Sequence, residues 1–201
     1  MYPRNMILSQ PEIREEVAKG EIRFDPPLEE RQWHEASVDL RLGFRFTKLN
    51  PKKGIKFSLA HGMSALAGTD LWIEKTLKKQ DELGKRETFT LDPDEFILAQ
   101  TYERIWIPKY LIAMVEGRSS YARAGLSMHQ TAPWLQPGWN GQITLEIRNS
   151  GPFHIELIPT EDMPCQVTFF QLTSELVEGV AYGARPTDVF QNQANPLPVK
   201  T

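Results

Sequence analysis

The feature that most restricts the fold is a series of short apolar runs, separated by turn formers, through the second half of the chain. Glu87 to Leu91, Glu95 to Thr101, Arg104 to Ile107 and Ile112 to Glu116 are punctuated by Asp92-Pro93 and Pro108. Gln142 to Asn149, Phe153 to Leu157 and Gln166 to Leu172 continue the series. They recur at intervals of roughly ten residues, as the strands of small antiparallel sandwiches and barrels do. Further upstream, Val38, Leu40, Leu42, Phe44 and Phe46 alternate with Asp39, Arg41, Gly43 and Arg45, and this period of two predicts a half-buried strand from Ala36. An antiparallel β fold is therefore expected.

One helix is legible ahead of the strands. Ser9-Gln10-Pro11-Glu12 fits a capping box with proline tolerated in the first turn, so a short helix is predicted from about Gln10 to Lys19, ended by Gly20. Two stretches lack a clear period. Residues 50–86 are broken by Lys52-Lys53-Gly54 and Lys78-Lys79 and read as a variable insertion, with a short helix near Leu71 to Lys79 as one option. Residues 179–201 hold Pro186, Pro196 and Pro198 and read as a mobile C-terminal tail able to close over a ligand. The whole chain, 1–201, is expected to be a single domain.

Composition narrows the classes of function. Lys plus Arg number 23 against 26 Asp plus Glu, a formal net charge of -3, which gives no basic excess for binding long nucleic acids. No apolar stretch reaches the length of a membrane span, and no apolar leader follows Met1, so a cytoplasmic location is expected. The lone cysteine, Cys165, excludes an intrachain disulfide. His34, His61, His129 and His154 are scattered rather than spaced as ligands, so a zinc site is not expected.

The chemistry concentrates between residues 116 and 151. Gly117-Arg118-Ser119-Ser120-Tyr121-Ala122-Arg123-Ala124-Gly125 predicts a single helical turn with hydroxyl residues suited to capping and Gly125 closing it. Ser119 and Arg123, four residues apart, share a face of such a turn, while free N–H groups and Arg118 favour a phosphate. A capped turn with two surface arginines is an equally good reading of that segment alone. Downstream, Ile143, Leu145 and Ile147 alternate with Thr144, Glu146 and Arg148, which sends Glu146 to the face opposite the aliphatics. A cleft carboxylate there suits a general base; an exposed glutamate on an edge strand is the bland alternative. The intervening loop, 129–141, carries Trp134 and Trp139 and suits a base or sugar pocket, though core packing of both tryptophans also fits. His129 alone in that loop is more readily structural than catalytic.

Taken together, Glu116 to Leu126, Thr131-Ala132, Pro137-Gly138-Trp139, Gly141, Ile143 to Glu146 and Asn149-Ser150-Gly151-Pro152 resemble the signature of the dCTP deaminase and dUTPase family. The likeness extends more loosely to Met6 to Ser9, to Ala36 to Gly43 and to the tail. It implies a mainly β fold, a distorted antiparallel barrel or jelly roll of the dUTPase type with a short N-terminal helix. It also implies a homotrimer with interfacial active sites, magnesium held through the nucleotide triphosphate, and deamination without zinc. On this resemblance Glu146 is the general base, Ser119 and the Ala132 carbonyl hold the attacking water, and Arg123 supports the polar site. Arg118 and Ser120 contact phosphate, and Tyr121, Ala122, Thr131, Gln136, Thr144 and Leu145 belong to the nucleotide-binding set. Tyr182 and Gln193 match tail residues that fold over the nucleotide.

Two positions depart from the family pattern. Gln136 stands where an aspartate is usual, and a neutral amide there argues against pyrophosphate cleavage. Val189 stands where the tail usually supplies a phosphate-binding lysine, and Arg185 is the nearby candidate to replace it. The expected activity is conversion of dCTP to dUTP and ammonia. A dUTP diphosphatase, alone or combined with deamination, and a non-catalytic trimeric deoxynucleotide-binding protein are the competing readings. A zinc-type cytidine deaminase lacks its ligands, since Pro164-Cys165 is the only fragment of that motif in the chain.

Overall fold

The computed structural model describes residues 6–50, 72–174, 176–177, 179–186 and 188–194. The capping box forms as the sequence predicts: the Glu12 carboxylate accepts from both the Ser9 backbone N–H and its hydroxyl, each at 2.8 Å. Helix α1 runs over Gln10–Ala18, and Gly20 follows at φ 75°, a left-handed conformation that a side chain would strain.

The remaining architecture is β. The strands are β1 Arg23–Asp25, β2 Val38–Leu40, β3 Leu42–Leu49, β4 Trp72–Thr76, β5 Phe89–Leu91, β6 Phe96–Trp106, β7 Leu111–Gly117, β8 Leu126–Ser127, β9 Trp134–Leu135, β10 Asn140–Asn149, β11 Ile155–Leu157 and β12 Cys165–Gln171. A six-stranded sheet has the order β4-β3-β6-β10-β8 with β1 also on β6; a four-stranded sheet has the order β2-β12-β7-β9; β11 and β5 pair alone. Every pairing between these strands is antiparallel. The expected mainly β, distorted-barrel fold with a short N-terminal helix is observed, its wall divided among three sheets rather than closed by one ladder. The core between them is aliphatic and aromatic, with Phe46, Phe169, Leu40, Leu42, Ile97, Ile105 and Leu145 all fully buried.

Three sequence expectations need correction. The predicted half-buried strand from Ala36 is two strands, β2 and β3, in different sheets, with Arg41 at the crossover. Both faces are covered there, so Asp39 and Arg41 are buried rather than solvated. Their charges are satisfied internally. Arg41 donates from Nε to the buried Glu103 carboxylate at 2.6 Å and also pairs with Glu29. Second, the optional helix near Leu71 to Lys79 is instead strand β4, paired along β3 from Arg45–Thr76 to Leu49–Trp72; Leu71 lies outside the described residues. Pairing with a neighbour decides that segment, whose own pattern is weak. Third, the runs at Glu95 to Thr101 and Arg104 to Ile107 are one strand, β6, bent by register shifts against β3 and β10. Its length makes it the spine that β1, β3 and β10 share.

Candidate active site

Strand β10 places the candidate base. Ile143, Leu145 and Ile147 point into the core, while Thr144 and Glu146 stand half-buried on the other face, as the alternation predicts. Glu146 is fixed from the side by the chain that follows β8. Its backbone N–H donates to Met128 O at 3.0 Å, and its Oε2 accepts the Gln130 N–H at 2.9 Å. Gln130 Nε2 returns to the Glu146 carbonyl at 3.2 Å. A carboxylate gripped by a backbone amide keeps its orientation while leaving its second oxygen for other work.

Around Glu146 lies a cavity of about 420 Å³, lined by Leu98, Met128, His129, Ala132, Gln136, Thr144 and Leu145 among others. Its size suits a small molecule. Trp139 is buried in its wall and Trp134, 48% exposed, stands at its edge, so the two tryptophans of the loop have separate roles. Trp134 packs edge-on to Phe170. His129 lines the same cavity and is occupied by Glu116, at 3.1 Å from its Nε2.

The tail forms one side of the cavity. Tyr182, Phe190 and Gln193 line it, held by main-chain bonds from Tyr182 N to Pro137 O at 2.9 Å, Asn192 N to Asn140 O at 2.9 Å and Gln142 N to Gln193 O at 2.8 Å. Trp139 Nε1 donates to Phe190 O at 3.0 Å, and Gln193 Nε2 donates to Thr144 Oγ1 at 2.8 Å. Gly141 admits this approach, because a Cβ there would come within 2.8 Å of the Gln193 nitrogen. Of the described tail, Tyr182, Phe190 and Gln193 form part of the wall. Arg185 faces Asp188 at 3.2 Å, and Val189 is 54% exposed, so neither lines the cavity.

The arginine-bearing turn forms where the sequence predicts it, as helix α2 over Ser119–Arg123, closed by Gly125 at φ 94°. Its N-cap is Arg118, without a side-chain cap, in place of the expected hydroxyl. Ser119, Ser120, Ala122 and Arg123 are exposed and Tyr121 half-buried. The turn is anchored from beneath. Tyr121 donates to Asp162 at 2.8 Å and accepts from Met163 N at 3.2 Å, while Arg118 Nη1 lies 3.0 Å from Asp39 and 3.2 Å from the Met163 carbonyl. Burial beside Asp162 pushes the Tyr121 phenol up to about 12. The signature residues behind the turn are structural. Asn149 is buried and its side chain bridges Leu91 O, Phe153 O and Gly151 N, and Gly125 packs so closely on Gly151 that a Cβ would approach to 2.4 Å.

Glu146, Ala132, Gln136, Thr144, Leu145, Tyr182 and Gln193 therefore share one cavity. Arg118, Ser119, Ser120, Tyr121, Ala122, Arg123 and the exposed Thr131 do not line it within one chain. Residues that the sequence reading left without a role are Phe190, in the cavity wall, and Asp39, beneath Arg118. A charged residue inside the apolar Val38 to Phe46 run was the signal available for Asp39.

Fold and cavity define a mainly β ligand-binding protein whose pocket is roofed by its own C-terminal segment. The chain belongs to the dCTP deaminase-like family, whose model matches residues 7–172. It is 37% identical over 193 residues to the dCTP deaminase of Rhodospirillum rubrum, covering 96% of this chain and 95% of that one. It is 38% identical over 170 residues to the dUMP-forming dCTP deaminase of Methanosphaera stadtmanae, covering 84% and 80%. The crystal structure of 2'-deoxycytidine 5'-triphosphate deaminase from Agrobacterium tumefaciens superposes with a TM-score of 0.62 at 20% identity, a likeness of fold. That match covers 86% of this chain, which spans half the length of the other.

Proposed function

We propose that the protein hydrolyses dCTP to dUTP and ammonia. The observation that carries the reading is Glu146, gripped by the Gln130 amide on the wall of an aromatic-lined cavity in a chain of this family. In the proposed reaction Glu146 takes a proton from water as its oxygen bonds to C4 of cytosine and passes that proton to ring N3; it then takes the proton of the new C4 hydroxyl and gives it to the amino group, which leaves as ammonia as the C4 carbonyl forms. Hydrolytic attack of this kind needs the water held in place. Ser119 and the Ala132 carbonyl hold it, Arg123 stabilises the charged site, and Arg118 and Ser120 take phosphate oxygens. Thr131, Gln136, Thr144, Leu145, Tyr121 and Ala122 contact the nucleotide, and Tyr182 and Gln193 cover it.

The separation of these residues into a cavity and an exposed turn favours a site shared between copies, and a homotrimer is the proposed assembly. Among the described residues no three His, Cys, Asp or Glu side chains converge as metal ligands. Magnesium fits this donor set only as an ion carried on the triphosphate, where it offsets phosphate charge. A cytoplasmic location completes the proposal; among the described residues no helix is long and apolar enough to cross a membrane.

Incubation with each deoxynucleotide and magnesium, followed by product separation, tests the reading. Ammonia and dUTP from dCTP are expected, and nucleotide binding without any product would leave the non-catalytic reading in its place. A second reading, deamination followed by pyrophosphate release, is favoured by the dUMP-forming relative. Gln136 in the cavity wall counts against it, and dUMP among the products would establish it.

A further inference from the structure

We infer that Asp39 is a positioning residue for Arg118, holding its guanidinium at the foot of α2 so that the exposed part of the side chain meets phosphate. The inference rests on the phosphate-binding role proposed for Arg118.

Asp39 sits on β2 with 1% of its surface exposed, between the apolar Val38 and Leu40. Burial raises its pKa, while the hydrogen bond from His34 and the charges of Arg118 and His34 pull it down. A buried carboxylate is costly unless paired and hydrogen-bonded. Both partners converge on one oxygen, His34 Nε2 at 2.8 Å and Arg118 Nη1 at 3.0 Å from Oδ2. Arg118 Nη1 also donates to the Met163 carbonyl at 3.2 Å, so one end of the fork is fixed twice. The Arg118 side chain nevertheless keeps 30% of its surface exposed, whereas Arg41, two residues after Asp39, keeps 8% and is spent on Glu103 and Glu29. The arrangement is thus that of an oriented cation at the surface rather than a wholly internal ion pair. Its backbone is pinned as well, by Arg118 N to Pro164 O at 3.1 Å. A long side chain held this way loses little further freedom on meeting a ligand, and preorganisation of that kind appears as affinity.

The test is a double-variant cycle with Asp39→Asn and Arg118→Met, read by calorimetry as affinity for dCTP and for inorganic tripolyphosphate, with ammonia release alongside. Asp39→Asn alone is expected to weaken both ligands about tenfold while changing kcat less than threefold. In the Arg118→Met background it is expected to change neither affinity further. An equal added loss in both backgrounds overturns the inference, since Asp39 would then act independently of Arg118. If Asp39→Asn does not fold, Asp39→Ser, smaller and equally uncharged, is read in the same cycle. Failure of both to fold while Arg118→Met folds normally makes Asp39 purely structural and also overturns it. A wild-type protein that binds tripolyphosphate yet releases no ammonia would sink the deaminase reading and leave Asp39 standing.

Discussion

The cavity around Glu146 and the turn that carries Arg118 to Arg123 are built differently. The cavity is a partly open hollow: the 128–130 segment grips Glu146 and the tail forms one side. The turn is open, with Ser119, Ser120 and Arg123 exposed and its order supplied from below by Asp39, Asp162 and Gly151. One region holds a half-buried carboxylate and the other holds arginines. The two regions do not meet within one chain, and the proposal of a site shared between copies fits that separation.

The largest effect expected is at the cavity. Glu146→Ala should lower ammonia release by about 10²–10⁴-fold while dCTP affinity stays within a few-fold, because a general base acts on the rate of the chemical step. Unchanged turnover would remove Glu146 from the mechanism. Mixing two inactive variants then tests the division itself. Glu146→Ala combined with Arg123→Ala in equal amounts under conditions that exchange subunits should regain about a quarter of wild-type activity if each site draws on two copies. No recovery would place both halves in one chain.

Smaller effects separate the supports of the two regions. Gly125→Ala should cost about 1–3 kcal/mol from the left-handed backbone alone, with more from the close contact on Gly151, and is read as a lowered Tm. Gln193→Ala removes one hydrogen bond to Thr144 and should raise KM for dCTP roughly three- to tenfold, equivalent to about 0.5–1.5 kcal/mol. The smallest effect is alkaline. The folded chain holds the Tyr121 proton more tightly than the unfolded one, so this group's contribution is intact below pH 10 and is lost as pH rises through about 12. Tyr121→Phe should be less stable than wild type at neutral pH, by loss of the Asp162 hydrogen bond, and the gap should narrow between pH 10 and 12 in thermal melts.

How much of this was legible beforehand follows the range of the interactions. The helix at Gln10 and the turn at Ser119 are set by neighbours within four residues, and both formed nearly where predicted. The face chosen by Glu146 also follows from local alternation. What the sequence could not display depends on distant partners. The burial of Asp39 and Arg41 comes from a change of sheet whose two partner strands, β12 and β6, lie far along the chain. Strand β4 exists through its pairing with β3, not its own pattern. Asn149 and Gly151 carried the family likeness, yet their contacts show a scaffold supporting the turn.

The tail is joined to the cavity wall in two ways, through peptide groups at Tyr182, Asn192 and Gln193 and through the side chains of Gln191 and Gln193. Amide and carbonyl partners are common to almost every residue type, so a substitution at Tyr182 leaves its main-chain bond to Pro137 available, whereas one at Gln191 or Gln193 removes side-chain bonds as well. The bare α-carbon at Gly141 is the exception, and any larger residue there would shift the whole cover at once.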